Sequence, residues 1–173
     1  MTTVLFNDNY QLLHDRIDIR AVSPITEEDY QVGGSTALLD AIGKTIAKIS
    51  NAQNHTAKAY RAEKVMFVII TDGMENASRE YSAQKVKMQI EQQKKKHGWE
   101  FVFLGANIDA VETAARFGIS KDRAQNYHAD QKGVDLNFQV MSRAVATFRT
   151  CSEMPEDWNE EIQKDYQKRG GKK

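Results

Sequence analysis

The chain has little of several features that define whole classes of protein. Its 173 residues contain one cysteine, Cys151, so no disulfide can form within the chain, and we expect a reducing compartment such as the cytoplasm. Two prolines are too few for a Pro-rich linker. The formal net charge is zero, with 24 basic and 24 acidic side chains, whereas a nucleic-acid binder normally shows a basic excess. We therefore expect no nucleic-acid partner.

Long apolar runs are missing as well. The longest, residues 65–70, is too short to cross a bilayer, and residues 1–10 have neither the basic nor the apolar region of a signal peptide. We expect a cytoplasmic protein with no membrane partner. Hydrophobic residues make up 40% of the chain and charged residues 28%, which is typical of a globular protein, and the length suits one domain.

Strand-like and helix-like segments alternate along the chain. Six successive apolar residues within KVMFVIIT, residues 64–71, predict a strand that is covered on both faces, as in a parallel sheet. Apolar residues at helical spacing predict helices over residues 36–52 and 134–148. Ser82 as a cap and Gly98 as a stop predict a helix over 82–97, and Gly118 closes one over 108–117. Further strands are predicted at 3–6, 10–14, 100–104 and 124–128, and the first two are expected to form a hairpin. Residues 17–22 are predicted to be weakly extended and residues 51–63 to be a loop.

This alternation predicts an α/β fold with a doubly wound, mostly parallel sheet and helices on both faces, in three layers. We assign residues 1–152 to a single domain and residues 153–173 to a polar tail that is helical near 158–166. Right-handed crossovers place every helix start and every strand end on one edge of the sheet, which is where ligands bind in such folds.

Two loops are expected to meet at that carboxyl edge. Thr36 stands at a helix start, and Asp72 ends the central strand, followed by Gly73. A hydroxyl and a carboxylate that converge could hold a hard cation such as Mg²⁺, which prefers oxygen ligands. Simpler interpretations are open: Asp-Gly is common in turns, and a threonine hydroxyl often caps a helix.

Neighbouring residues are candidates for shaping the edge. Gly34 and Ser35 precede Thr36, and Asn107 and Asp109 follow the next strand, so they should line the same edge. Glu75 and Asn76, just past Asp72, are best explained by turn and capping chemistry. Asp40 either favours the helix dipole or supports the edge loop through a backbone hydrogen bond.

The segments GGSTALLDAIG and VMFVIITDGMENAS, in this order, resemble the von Willebrand factor type A (vWA) domain, especially small stand-alone bacterial proteins of that family. The resemblance extends over residues 3–148 and implies a metal-ion-dependent adhesion site on the carboxyl edge of the sheet. Three loops build that site: an Asp-x-Ser-x-Ser loop, a loop with a threonine that Thr36 matches, and a Thr-Asp-Gly turn that Asp72 matches. Family members bind Mg²⁺ or Mn²⁺ there and engage an acidic group of a partner protein. The resemblance thus implies a non-enzymatic protein-binding or scaffold role.

The sequence departs from the family at the first of these loops. It contains no Asp-x-Ser-x-Ser motif, and it begins where the family's second strand begins. Thr36 and Asp72 alone offer two oxygens to a cation that takes about six, so we expect weak metal binding or none. A truncated form of the family is our leading explanation, and in-frame translation of the DNA upstream of Met1 would test it.

An absent first strand would leave sheet edges unpaired. Residues 4–6 and 65–70 would flank it, so these two strands pair directly, or another chain fills the gap, or the fold is marginal. Self-association through the unpaired edge is one expected consequence.

Other functions have weaker support. The loop from Gly33 to Thr36 could hold a phosphorylated small molecule or a nucleotide through backbone N–H groups, but it lacks the Gly-Lys-Ser/Thr end of a nucleotide loop. His128 with Asp130 could lie on the binding edge, although a simple strand end explains His128 better. No serine-hydrolase motif is present, and we expect no catalytic activity. A non-functional fragment is a further alternative.

Overall fold

The computed structural model describes residues 1–30, 33–151 and 153–171. Its helices and strands in chain order are β1 (Thr3–Phe6), β2 (Tyr10–His14), α1 (Leu38–His55), β3 (Met66–Thr71), α2 (Ala83–His97), β4 (Glu100–Gly105), α3 (Ala110–Arg116), β5 (Ala124–Asn126), α4 (Gln131–Cys151) and α5 (Glu160–Lys168).

A three-stranded parallel sheet lies at the centre of the molecule, in the order β3-β4-β5. Strand β4 is the middle strand and is buried throughout except at Glu100, because its neighbours and the helices cover it on every side. Crossover connections through α2 and α3 return the chain to the start of the next parallel strand. The mixed α/β class predicted from the sequence is confirmed.

Helices pack on both faces of this sheet. Side chains alternate across each strand. Phe67 and Phe103 belong to a core shared with α1, α2 and α3, and Val68 and Leu104 belong to a second core shared with α4 and α5. The continuous apolar run of β3 is explained by this arrangement, because both of its faces meet helices.

The hairpin is a separate sheet. Strands β1 and β2 pair antiparallel, as predicted, with Phe6 opposite Tyr10. Within the described ranges, no ladder joins this hairpin to β3, so the direct pairing that the sequence left open does not occur. The hairpin rests instead on α1, through the hydroxyls of Tyr10 and Thr45 (3.3 Å) and an ion pair between Lys48 and Asp15 (2.9 Å).

Two local predictions hold only in part. In residues 17–22, Asp18 and Val22 have extended backbones, but Ile19–Ala21 form a 3-10 turn, because the Asp18 carboxylate accepts the Arg20 N–H (2.9 Å) and caps it. The 51–63 segment is not entirely a loop, since α1 continues to His55 and a 3-10 turn follows at Lys58–Tyr60.

The C-terminal segment packs onto the sheet. Helix α5 covers the polar stretch expected to be partly helical, and Met154, Trp158 and Ile162 are buried in the core that also contains α4. No helix among the described residues is long and apolar enough to cross a membrane.

Candidate functional site

The loops that carry Thr36 and Asp72 meet, as the fold argument predicted. The Thr36 N–H donates to Asn76 Oδ1 (2.8 Å), and the N–H groups of Asn76 and Ala77 donate to the Thr36 carbonyl (3.0 and 3.2 Å). A Cβ built on Gly73 would lie 3.2 Å from Thr36 Oγ1, so this hydroxyl lies against the residue that follows Asp72. The Asp72 side chain itself is exposed.

Of the two residues expected from the loop after β4, one joins this junction. Asn107 Nδ2 donates to the Asp72 carbonyl (3.1 Å), and Asn107 adopts a left-handed backbone (φ 58°) that asparagine tolerates better than most residues. Asp109 instead caps α3, because its carboxylate accepts the Glu112 N–H (2.8 Å). Its observed contact is therefore structural.

Gly34, two residues before Thr36, lies against the turn of the hairpin. Gly34 has a left-handed backbone (φ 84°), and a Cβ there would come within 2.6 Å of Asp8 Oδ1. The glycine thus allows the loop to approach the hairpin turn. The Ser35 side chain is exposed. The Thr36 loop is consequently held between the hairpin and the end of β3.

Two carboxylates and a serine fasten the start of α1 to the loop after β3. Glu75 Oε2 accepts the Leu39 N–H (2.8 Å), and Ser78 Oγ accepts the Asp40 N–H (3.0 Å). In return, the Asp40 carboxylate accepts backbone N–H groups of Arg79, Glu80 and Tyr81 at 2.8–3.0 Å. These contacts show that Asp40 supports the edge loop, which was one of the two roles considered for it. The contacts of Glu75 match the capping that was expected.

Sequence reasoning missed Tyr127, which lies at this edge. Burial raises the pKa of Tyr127 to about 12, and the charge of Asp72 and the neighbouring Tyr30 add to that increase. The Tyr127 hydroxyl donates to the Thr71 carbonyl (3.5 Å) at the end of β3. Tyr30 is 52% exposed and Met74 is 69% exposed. The loop after β3 therefore presents the thioether side chain of Met74 to solvent, close in sequence to Asp72.

The residues present do not fit a tight metal site. Thr36 and Asp72 supply one hydroxyl and one carboxylate, whereas Mg²⁺ takes about six oxygen ligands. Across residues 1–30, 33–151 and 153–171, no group of three or more His, Cys, Asp or Glu side chains is placed to hold a metal ion.

A phosphate group would find few available donors at the start of α1. The N–H groups of Thr36 and Ala37 donate to Asn76 Oδ1 and to the Asn7 carbonyl (2.7 Å), and those of Leu39 and Asp40 are taken by Glu75 and Ser78. Glu75 also places a negative charge where an anion would bind. These contacts count against the phosphate alternative.

His128 and Asp130 do not form an acid–base pair. The His128 ring packs on Tyr166, with Nε2 3.2 Å from the Tyr166 carbonyl, while Asp130 Oδ1 accepts the Gly133 N–H (2.9 Å) near the start of α4. Both residues tie α4 and α5 to the sheet.

Comparison of the chain with protein-family models, curated proteins and solved structures finds no match. The resemblance to the vWA family consequently depends on the motifs around Thr36 and Asp72 and on the order of the elements.

Proposed function

We propose that this chain is a non-enzymatic, protein-binding domain of vWA type with a degenerate metal-ion-dependent adhesion site. In this proposal the doubly wound sheet is the Rossmann-like sheet of that family, and the partner binds at the carboxyl edge around Asp72. We also propose the cytoplasm as its compartment, on the single-cysteine argument.

One observation carries this proposal. Thr36, Asp72 and Asn107 are drawn together at the strand ends, and the exposed Met74 follows Asp72 by two residues. Methionine is enriched in protein interfaces, and the exposed Asp72 carboxylate close to it offers a partner a polar contact. The hydrogen bonds of Asp40 and Glu75 join the start of α1 to the loop after β3. Loops that are held in place before binding lose less conformational entropy when a partner binds.

The test begins with affinity capture on the immobilised chain, followed by direct titration of the captured partner. We expect Asp72→Ala and Met74→Ser to weaken partner binding by about tenfold or more, as interface centres do. Glu91→Ala, an exposed carboxylate on α2, is the matched control and should leave affinity unchanged. Equal affinity for all four proteins would refute binding at this edge.

Metal dependence is tested separately by calorimetric titration with Mg²⁺ and Mn²⁺. Two protein oxygens are too few for tight binding, so we expect no micromolar affinity and no change in partner binding when EDTA is added. Micromolar binding that Asp72→Ala abolishes would show that the site is a working metal site.

A further inference from the structure

A small cavity lies at the amino end of the sheet, where β3 and β4 begin. Its volume is about 170 Å³, and its walls are the last turns of α1 and α2, residues 61–63 and Trp99. Residues 61–63 come shortly before β3, and Trp99 comes directly before β4. The six residues of β3 rise about 3.3 Å each, so the cavity lies about 20 Å from Asp72 at the other edge.

The polar group at the inner wall of this cavity is the amide of Gln93, on α2. Gln93 is 5% exposed, and among the described residues its Oε1 has no hydrogen-bond partner. Its Nε2 donates to Ser50 Oγ at 3.4 Å, which is longer than the usual range of about 2.7–3.2 Å. Buried polar groups nearly always have good partners. The Gln93 amide therefore has hydrogen-bonding capacity left for a molecule in the cavity.

The outer wall of the cavity is fastened to α1. Gln53 Nε2 donates to the Ala62 carbonyl (2.8 Å), and the Ala62 N–H donates to Gln53 Oε1 (3.0 Å). Arg61 Nε donates to the Thr56 carbonyl (2.8 Å) at the end of α1. These three hydrogen bonds hold residues 61–63 in place without a ligand, so the cavity is preformed, as ligand sites usually are.

The side chains around the cavity suit a flat molecule without charge. Trp99 is an aromatic wall, stacked on Phe67 with ring centroids 5.5 Å apart, and the His97 ring lies 6.4 Å from Trp99. Aromatic side chains pack well against flat rings. Arg61 and Glu63 carry opposite charges, and the Arg61 guanidinium already bonds to α1. An ion of either sign therefore gains little here.

Size and hydrogen-bonding pattern narrow the ligand further. The volume equals that of about six water molecules in the liquid, below the roughly 300 Å³ at which pockets for drug-sized molecules begin. A single ring is therefore the right size. The Gln93 amide and the Ser50 hydroxyl lie side by side, and together they can accept one hydrogen bond and donate another. A ring with an N–H next to a C=O offers the complementary pair.

We infer that this cavity binds a small, uncharged cyclic amide such as a pyrimidine base, either free or as the base of a nucleoside. The ring N–H donates to Gln93 Oε1, the adjacent ring carbonyl accepts from the Ser50 hydroxyl, and the ring lies beside Trp99. This site goes beyond the proposed protein-binding role, and neither depends on the other, because they lie at opposite edges of the sheet.

The probe is uracil, titrated into the full chain and followed by nuclear magnetic resonance. We expect a Kd below about 1 mM, with the largest shifts at the Gln93 side-chain amide and the Trp99 indole. Dimethyluracil, methylated on both ring nitrogens, keeps the carbonyls but has no N–H, so it should bind about tenfold more weakly or worse. Uridine distinguishes the two sources of the ring: equal or tighter binding indicates a nucleoside, and weaker binding than uracil indicates the free base.

Two glutamines on the same helix give a matched pair of variants. Gln93→Met removes the amide at similar size and should weaken uracil binding by about tenfold or more. Gln89 is one turn earlier on α2 and also has a buried Oε1 without a partner among the described residues, but it lies outside the cavity wall. Gln89→Met should therefore leave uracil affinity within about twofold of wild type. Ser50→Ala removes the hydroxyl independently and should weaken binding by about threefold or more.

Several outcomes would overturn the inference. If the cavity holds only ordered water, uracil will not bind even at about 10 mM. Equal affinity for uracil and dimethyluracil would show that the amide pair is not recognised, and so would equal effects of Gln93→Met and Gln89→Met. Asp72→Ala should leave uracil binding unchanged, so failure of uracil to bind would not affect the carboxyl-edge proposal.

Discussion

At the scale of single residues, the Asp40 carboxylate fixes the loop after β3 to the start of α1 through hydrogen bonds to the backbone. It is 7% exposed and accepts three backbone N–H groups from Arg79, Glu80 and Tyr81. Burial by itself would raise the pKa of Asp40, but these hydrogen bonds outweigh it, and the pKa lies below its usual range. The ionised form is thus the form that the folded state favours.

Replacing Asp40 should therefore be costly at neutral pH. Asp40→Asn removes the charge and turns an amide NH₂ toward backbone donors, so we expect a loss of about 1–3 kcal/mol in the free energy of unfolding. Because the folded pKa is depressed, this contribution is fully present above the unfolded value of about 3.9 and is lost as the pH falls through the folded pKa. Urea denaturation at pH 7 and near pH 3 measures the difference between wild type and variant. A difference that grows toward low pH would contradict the assignment.

At the scale of elements, the question for Asp109 is whether it only caps α3 or also takes part in partner binding. Its carboxylate accepts the Glu112 N–H at the start of α3, although its place after β4 suggested the binding edge. We expect Asp109→Ala to destabilise the protein by about 1 kcal/mol and Asp109→Ser, another good cap, to recover most of that loss. Partner affinity measured by titration should be the same for both variants. Reduced partner affinity of the stable Asp109→Ser variant would show that Asp109 belongs to the binding site.

Elements with strong local signals were predicted well, and those decided by tertiary contacts were not. Ser82 and Gly98 bound α2 as predicted, since a capping hydroxyl and a left-handed glycine (φ 63°) act within a few residues. The start of α1 moved to Leu38 because Ala37 bonds to the distant Asn7, which no local pattern indicates. Likewise, the meeting of the Thr36 loop with the loop after β3 followed from sheet topology, whereas Tyr127 reaches this edge only through the folded chain.

At the scale of the whole molecule, α5 belongs to the packing of the central sheet. The polar composition of residues 153–173 set them apart as a tail in the sequence, yet Met154, Trp158 and Ile162 recur every four residues and are each at most 6% exposed. This spacing is a helical signal, but three apolar positions in a charged segment are too few to show which surface they cover. Arg169 pairs with both Asp130 and Asp165, which fixes the end of α5 beside the start of α4.

We therefore expect α5 to unfold together with the sheet. Ile162 is 2% exposed, and Ile162→Ala should lower the free energy of unfolding by about 2–5 kcal/mol, as large-to-small changes in a core do. Lys164→Ala is the control on the same helix, because its only described ion pair, with Glu160, is exposed and such pairs contribute less than about 1 kcal/mol. In a Trp99→Phe background, which leaves Trp158 as the one tryptophan, urea denaturation followed by fluorescence and by far-ultraviolet circular dichroism should give one coincident transition for both variants. An earlier, separate fluorescence transition would show that α5 is an independent appendage, since Trp158 lies beside it on the second core.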